Sequence, residues 1–189
     1  MAKAVAYVLL GWECTDCCLL LLIGFLTFLR TSEFLSIRRK HLTFSADLGR
    51  VHILLPCTKG VSRSGGIESV YCADKVVVRA LHAHCKDLLP GDSVLRRTPA
   101  QSRLGFNAAV KECHLDSGVR PYSLRRGGST YHFRLHGSID KTMEIGRWQH
   151  LKTARVYVNT ALSEVATLRL GAQASAAVRQ YSDALGDIL

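Results

Sequence analysis

Residues 17–29, CCLLLLIGFLTFL, form an almost uninterrupted apolar run that stops at Arg30 and is followed by Glu33 and the basic triplet Arg38, Arg39, Lys40. A helix that crosses a bilayer needs roughly 20 apolar residues, and this run falls short of that. It reads instead as a helix over 15–30 that is apolar nearly all round and therefore buried in a protein core. A secretory signal is the other membrane-facing reading, because Lys3 precedes the apolar residues 4–10. Glu13 and Asp16 interrupt that stretch, however, and no small-residue cleavage site follows it. The expected location is intracellular, with no membrane partner.

The chain has 189 residues, 48% of them apolar, which is enough for one core of ordinary size. Its 25 Lys and Arg against 15 Asp and Glu give a net charge of +10. Such an excess concentrates phosphates by long-range attraction and points to nucleic acid as the partner. The seven cysteines are odd in number and lack the dense spacing of a small secreted scaffold, so a reducing compartment is expected. Cys14 and Cys17 make a CxxC without a second pair at zinc-site spacing, and His82, His84 and Cys85 fall in an ordinary helical stretch. No metal, cofactor or small-molecule ligand is expected.

The hydrophobic period changes in a definite order along the chain. After the first helix, HLTFSADLGRVHILLP has strand-like segments on either side of residues 47–50, and GIESVYC offers a third strand after the turn KGVSRSGG. From Ala73 onward the pattern is helical: one helix closes before Pro90, another covers SRLGFNAAVKECHL, and others follow Pro121 and Ser138. LKTARVYVNTALSEVATL reads as a single helix with Ala154, Val158, Ala161, Leu162, Val165 and Leu168 on one stripe. The expected class is α+β, mostly α-helical, with a small antiparallel β-sheet. One domain spans 1–170, and an alanine-rich helical tail occupies 171–189.

Short motifs with chemical content stand in a fixed order: TFLRTSEF around Arg30, PYSLRRGGST around Arg125, and GRWQHLKTARVYV, in which Tyr157 follows Trp148 by nine positions. Together they resemble the tyrosine recombinases, the phage-integrase family, whose catalytic domain carries TGLRxSEL, a lysine on a sheet turn, HxLRHTxAT and LGHxSxxTTxxY. The match is spread over residues 24–161. Any one motif alone is weak; agreement in type, order and spacing makes the set specific.

The resemblance implies a domain that recombines or integrates DNA at specific sites by strand cleavage and rejoining through a covalent 3′-phosphotyrosine. Arg30 and Arg125 fall on the two family arginines, Trp148 on a position that bears His or Trp, and Tyr157 on the nucleophile. Lys59, at the turn between the second and third strands, falls on the mobile lysine, and Glu33 on the acidic brace of the first arginine. Tyr122 stands where the family has a histidine. The family works as a tetramer on double-stranded DNA, and its final helix docks on a neighbouring protomer; here Val178, Tyr181 and Leu185 would supply that face. Members also place a DNA-clamping domain ahead of this one, which leaves three readings of the chain: a near-minimal catalytic domain, a piece of a longer product, or the remnant of a mobile element.

The residue types suit the chemistry on physical grounds as well. Negative charge builds on a pentacoordinate phosphorus, and two guanidiniums supply fixed donors to it in a partly dry site. A phenol is a poor nucleophile at neutral pH, so cations must stabilise its phenolate or a base must take its proton. A flexible ammonium such as Lys59 can protonate the leaving 5′-oxygen, and Trp148 can offer one indole N–H and an apolar face. Lys152, Arg155, Arg126 and Arg63 are expected as DNA-binding charges that position phosphates. Two rival readings stay open: a DNA-binding domain that keeps the fold without turnover, and a type IB topoisomerase.

Overall fold

The structure, a computed structural model, describes residues 1–56, 68–116 and 118–188. The apolar run forms α2 (Thr15–Leu26), and its residues from Cys17 to Gly24 are buried on every side. The helix stops four residues before Arg30. Thr27 turns its hydroxyl back onto the Ile23 carbonyl at 2.6 Å, and Phe28 takes a left-handed conformation with φ 52°, which ends the repeat. Arg30 therefore does not terminate this helix; it is the N-cap of the short α3 (Thr31–Leu35).

Around α2 pack α1 (Ala2–Gly11), α4 (Lys75–His84) and α6 (Ser123–His136), while α5 (Pro99–Glu112) lies against α1. Asp74 caps α4 by accepting from the amides of Val76 and Val77, both at 3.1 Å, and Thr98 with Gln101 makes a reciprocal capping box for α5. The buried Asp16 holds the segment before α5 onto α2, accepting from the Arg96 amide at 2.9 Å and from Arg97 at 2.6 Å.

Between α3 and α4 runs a three-stranded antiparallel sheet in the order β1 (Leu42–Phe44), β2 (Val51–Leu55), β3 (Glu68–Cys72). Leu42 faces Ile53 and Val51 faces Cys72 across the ladders. Val51, Ile53 and Leu55 enter the core while His52 and Leu54 stay outside, the period-2 alternation of a sheet covered on one face. The sheet and the helical majority agree with the α+β expectation.

The C-terminal part departs from it in two places. The single helix expected over LKTARVYVNTALSEVATL is broken into α8 (Leu151–Tyr157) and α9 (Thr160–Leu168). Asn159 leaves helical geometry and caps α9, its side chain accepting from the Leu162 amide at 2.8 Å, a use asparagine favours over a helix interior. The predicted stripe is thereby lost: Ala154 is fully buried, but Leu162 and Leu168 are 53% and 84% exposed. The tail forms α10 (Ala172–Ile188), and the face expected to reach a neighbour is taken up within the chain. Leu185 and Ala174 join the main core, and Tyr181 stacks on Tyr7 of α1 with ring centroids 5.3 Å apart.

Candidate active site

A second, smaller apolar cluster of Phe28, Trp148 and Ala154 lies apart from the main core, with Tyr157 and Met143 packed on it. It is built where the chain between α2 and α3 meets α6, α7 (Ile139–Gly146) and α8. Arg125, in the first turn of α6, enters this cluster and is only 1% exposed. Its Nη1 donates to the Phe28 carbonyl, and its Nη2 donates to the Gly146 carbonyl at 2.7 Å. Both acceptors lie at helix ends: the left-handed Phe28 follows α2, and Gly146 is the last residue of α7, where carbonyls lack intrahelical partners and favour a cation.

Two aromatic rings cover the guanidinium. Its carbon lies 4.9 Å from the Trp148 ring centroid and 5.2 Å from that of Tyr157, while Trp148 and Tyr157 themselves stack at 4.8 Å with an 18° interplanar angle. Gly146 permits this approach, because a Cβ there would fall on the indole of Trp148. The Tyr157 backbone is pinned from α6: Thr130 donates to its carbonyl at 3.1 Å and accepts from the Asn159 amide at 3.3 Å. The break after Tyr157 thus fixes where the tyrosine stands. Its hydroxyl meets that of Tyr122 at 2.7 Å.

Arg30 belongs to a charged network at the edge of the cluster. Glu33 accepts from the Arg30 amide at 2.8 Å and from the Arg30 guanidinium at 2.6 Å, and Arg147 bridges Glu33 at 2.7 Å to Glu68 of β3 at 3.1 Å. Burial alone would push the Glu33 carboxyl up, but Arg147 and Arg30 outweigh it and hold the group below its ordinary value. Arg125 is pushed down to about 10, first by burial and then by repulsion from Arg30 and Arg147. It stays cationic at neutral pH. Among the described residues, the buried Nε atoms of Arg125 and Arg147 have no hydrogen-bond partner. Donors of this kind, buried among excess positive charge, suit an anion.

Of the residues singled out from the motifs, Tyr122, Arg125, Trp148 and Tyr157 meet in one cluster, and Arg30 flanks it through Glu33 and Arg147. Arg126 is exposed and donates to the Val156 carbonyl at 3.2 Å. Lys152 and Arg155 are exposed on α8. Lys59 and Arg63 lie outside the described residues. Sequence reasoning missed Arg147, Thr130 and Phe28. Arg147 sits in the left-handed region, φ 56°, and its adjacency to Trp148 was the only available signal; Thr130 acts through its hydroxyl on the Tyr157 and Asn159 backbone and Phe28 through its carbonyl, contacts that residue types do not reveal.

No protein-family profile matches the sequence, and no curated protein matches it. Solved structures do resemble it. XerH site-specific recombinase bound to difH substrate, in a pre-cleavage complex, superposes with a TM-score of 0.66 at 18% identity, over 88% of this chain and 50% of that one. A post-cleavage complex of XerH with palindromic difH gives 0.66 at 17% identity over the same shares. XerA recombinase gives 0.63 at 16%, over 89% of this chain and 62% of that one. The chain thus spans about half the length of XerH and 62% of XerA. At these identities the likeness is one of architecture, and what it establishes is that this chain has the tyrosine recombinase catalytic-domain fold.

Proposed function

We propose that this domain breaks and rejoins DNA strands in site-specific recombination, with Tyr157 as the nucleophile. The observation that carries the reading is the convergence on Tyr157. Its ring lies over the Arg125 guanidinium, its hydroxyl bonds Tyr122, and its backbone is fixed by Thr130. The Tyr157 oxygen attacks the phosphorus and gives up its proton to solvent. The bond to the 5′-oxygen breaks, and that oxygen leaves as a hydroxyl after taking a proton, a role Lys59 is suited to fill. Reversal of the same steps with a different 5′-hydroxyl rejoins the strand. The phosphotyrosine conserves the bond energy, so the scheme needs no nucleotide.

In the scheme, Arg125 and Arg30 stabilise charge on the non-bridging oxygens. Because Arg125 is enclosed, its approach to a phosphate includes a swing of the Tyr157 ring off Trp148. Arg125 Nε, which has no partner among the described residues, is the donor such a phosphate would meet. Tyr122 bonds the attacking oxygen where a histidine would otherwise handle the proton. The XerH structures hold DNA substrate, and the same class of partner, double-stranded DNA, fits the +10 charge of this chain. Self-association on DNA, a place at intracellular DNA and an origin in a phage or mobile element complete the reading. Among the described residues, no helix is long and apolar enough to cross a membrane.

The second reading, a DNA-binding domain without turnover, is favoured by one observation: both Nη atoms of Arg125 are already engaged with carbonyls. Duplex DNA with a bridging phosphorothiolate separates the two, because its sulfur leaves without needing a proton. Covalent trapping on that substrate supports the catalytic reading; binding without trapping supports the other.

A further inference from the structure

The last two turns of α6 carry a second cluster that the DNA chemistry does not use. His132 and His136 stand four residues apart on one helical face, their ring centroids 4.4 Å apart with a 47° interplanar angle. They line a cleft of about 590 Å³ between α6, α7 and the sheet, together with Glu144, Lys141, His52 and Tyr71. His132 is half-buried and His136 is exposed.

Hydrogen bonding fixes the tautomer of His132. The buried Thr142 hydroxyl has one proton, which it donates to the Ser138 carbonyl at 2.8 Å. Its contact with His132 Nδ1 at 2.9 Å is therefore one in which Nδ1–H donates and the hydroxyl accepts. Neutral His132 is left with its lone pair on Nε2. A ring held at one nitrogen by a buried hydroxyl, with no partner on the other nitrogen among the described residues, is oriented as metal-bound imidazoles are oriented. A histidine one turn further along the helix supplies a second nitrogen, the i, i+4 arrangement of helical metal pairs.

We propose that His132 and His136 chelate a divalent transition-metal ion of the imidazole-preferring class, zinc or nickel, at the mouth of this cleft. Among the described residues no group of three or more His, Cys, Asp or Glu side chains is placed to hold an ion, so water fills the remaining positions and the site is a two-imidazole chelate. Glu144 favours the added charge and Lys141 opposes it. Thiolates favour zinc over nickel while imidazoles accept either, so nickel discriminates this site from the CxxC of Cys14 and Cys17.

The test is calorimetric titration of the full chain with NiCl2, together with NMR of the histidine rings. The account expects one equivalent bound, with paramagnetic broadening centred on His132 and His136. His136→Ala, at an exposed position that does not endanger folding, weakens binding at least tenfold. Thr142→Val, which frees the tautomer, weakens it by about 10–100-fold, the range for loss of an outer partner. Nickel affinity unchanged in His136→Ala, broadening centred elsewhere, or no binding at millimolar NiCl2 overturns the proposal.

Discussion

Tyr122 and Tyr157 approach each other hydroxyl to hydroxyl at 2.7 Å, although they lie 35 residues apart in the chain. Burial, and then the hydrogen bond to Tyr157, raise Tyr122 above the usual phenol value. Tyr122 therefore keeps its proton at neutral pH and can donate to the Tyr157 oxygen, an arrangement that suits the role proposed for Tyr157.

From this pairing follows an ordered series of rates at position 122. A phenol donates well but is a poor base near neutral pH, whereas a histidine titrates there and can do both. Under the proposed mechanism the native domain is expected to cleave slowly, Tyr122→His to accelerate cleavage by about 10²-fold, the lower end for general acid–base catalysis, and Tyr122→Phe to be slower than native. Single-turnover cleavage of a nicked duplex measures all three. Equal rates would remove Tyr122 from the chemistry.

Glu33 links the site to acid stability. Its folded value lies below the ordinary 4.5, so it contributes stability that is present above about pH 4.5 and is lost as pH falls through the depressed value. Glu33→Gln leaves the largely enclosed Arg147 with Glu68 as its remaining counter-charge and lowers stability at neutral pH by less than the roughly 3–5 kcal/mol that stranding a buried charge costs. It also flattens the acid limb. Urea unfolding between about pH 3 and pH 7 reads both effects.

Adjacent glycines on α6 should respond in opposite directions. A Cβ on Gly128 would run into the Phe25 carbonyl oxygen and lie 3.0 Å from the Phe28 ring, whereas one on Gly127 would meet only the edge of Phe25 at 3.5 Å, an ordinary contact. Gly128→Ala forces α6 off α2 and destabilises by at least about 1–3 kcal/mol. Gly127→Ala gains about 0.5–1 kcal/mol by reducing the freedom of the unfolded chain. Thermal unfolding of the two variants checks the pair.

DNA affinity should be mainly electrostatic, because phosphate contacts release counterions and carry no sequence information. Binding falls steeply between 50 and 200 mM salt, by about 10³-fold or more if six or more phosphates are contacted. Lys152→Ala and Arg155→Ala each reduce the salt slope by about one. Fluorescence anisotropy across the salt series measures it; a flat response would refute the electrostatic account.

Much of this architecture could be read in the residues. The alternation in VHILL marked β2, the turn residues around Asp47 marked the hairpin, and the ordered motifs brought Tyr122, Arg125, Trp148 and Tyr157 to one place. Other features depended on local competition that a pattern does not weigh. Arg30 moved from the end of one helix to the start of the next because Thr27 and Phe28 broke the repeat. Apolar spacing predicted one helix through Asn159, whose side chain instead capped a new one. Arg147 stood in its motif only as the neighbour of Trp148, since its role arises from a left-handed backbone from which it reaches Glu33 and Glu68. The α10 face took up Tyr7 of its own chain, a partner that the tail's sequence alone does not name.

The central claim, that Tyr157 is the nucleophile, is tested most directly by incubating the domain with a nicked duplex whose cleaved end diffuses away, then resolving denatured protein and mapping any attached nucleotide by mass spectrometry. The account predicts an adduct at the 3′-phosphate linked to Tyr157, absent from Tyr157→Phe, with DNA binding by that variant nearly unchanged. An adduct on another residue, one that persists in Tyr157→Phe, or none from a native protein that binds the duplex, would contradict it.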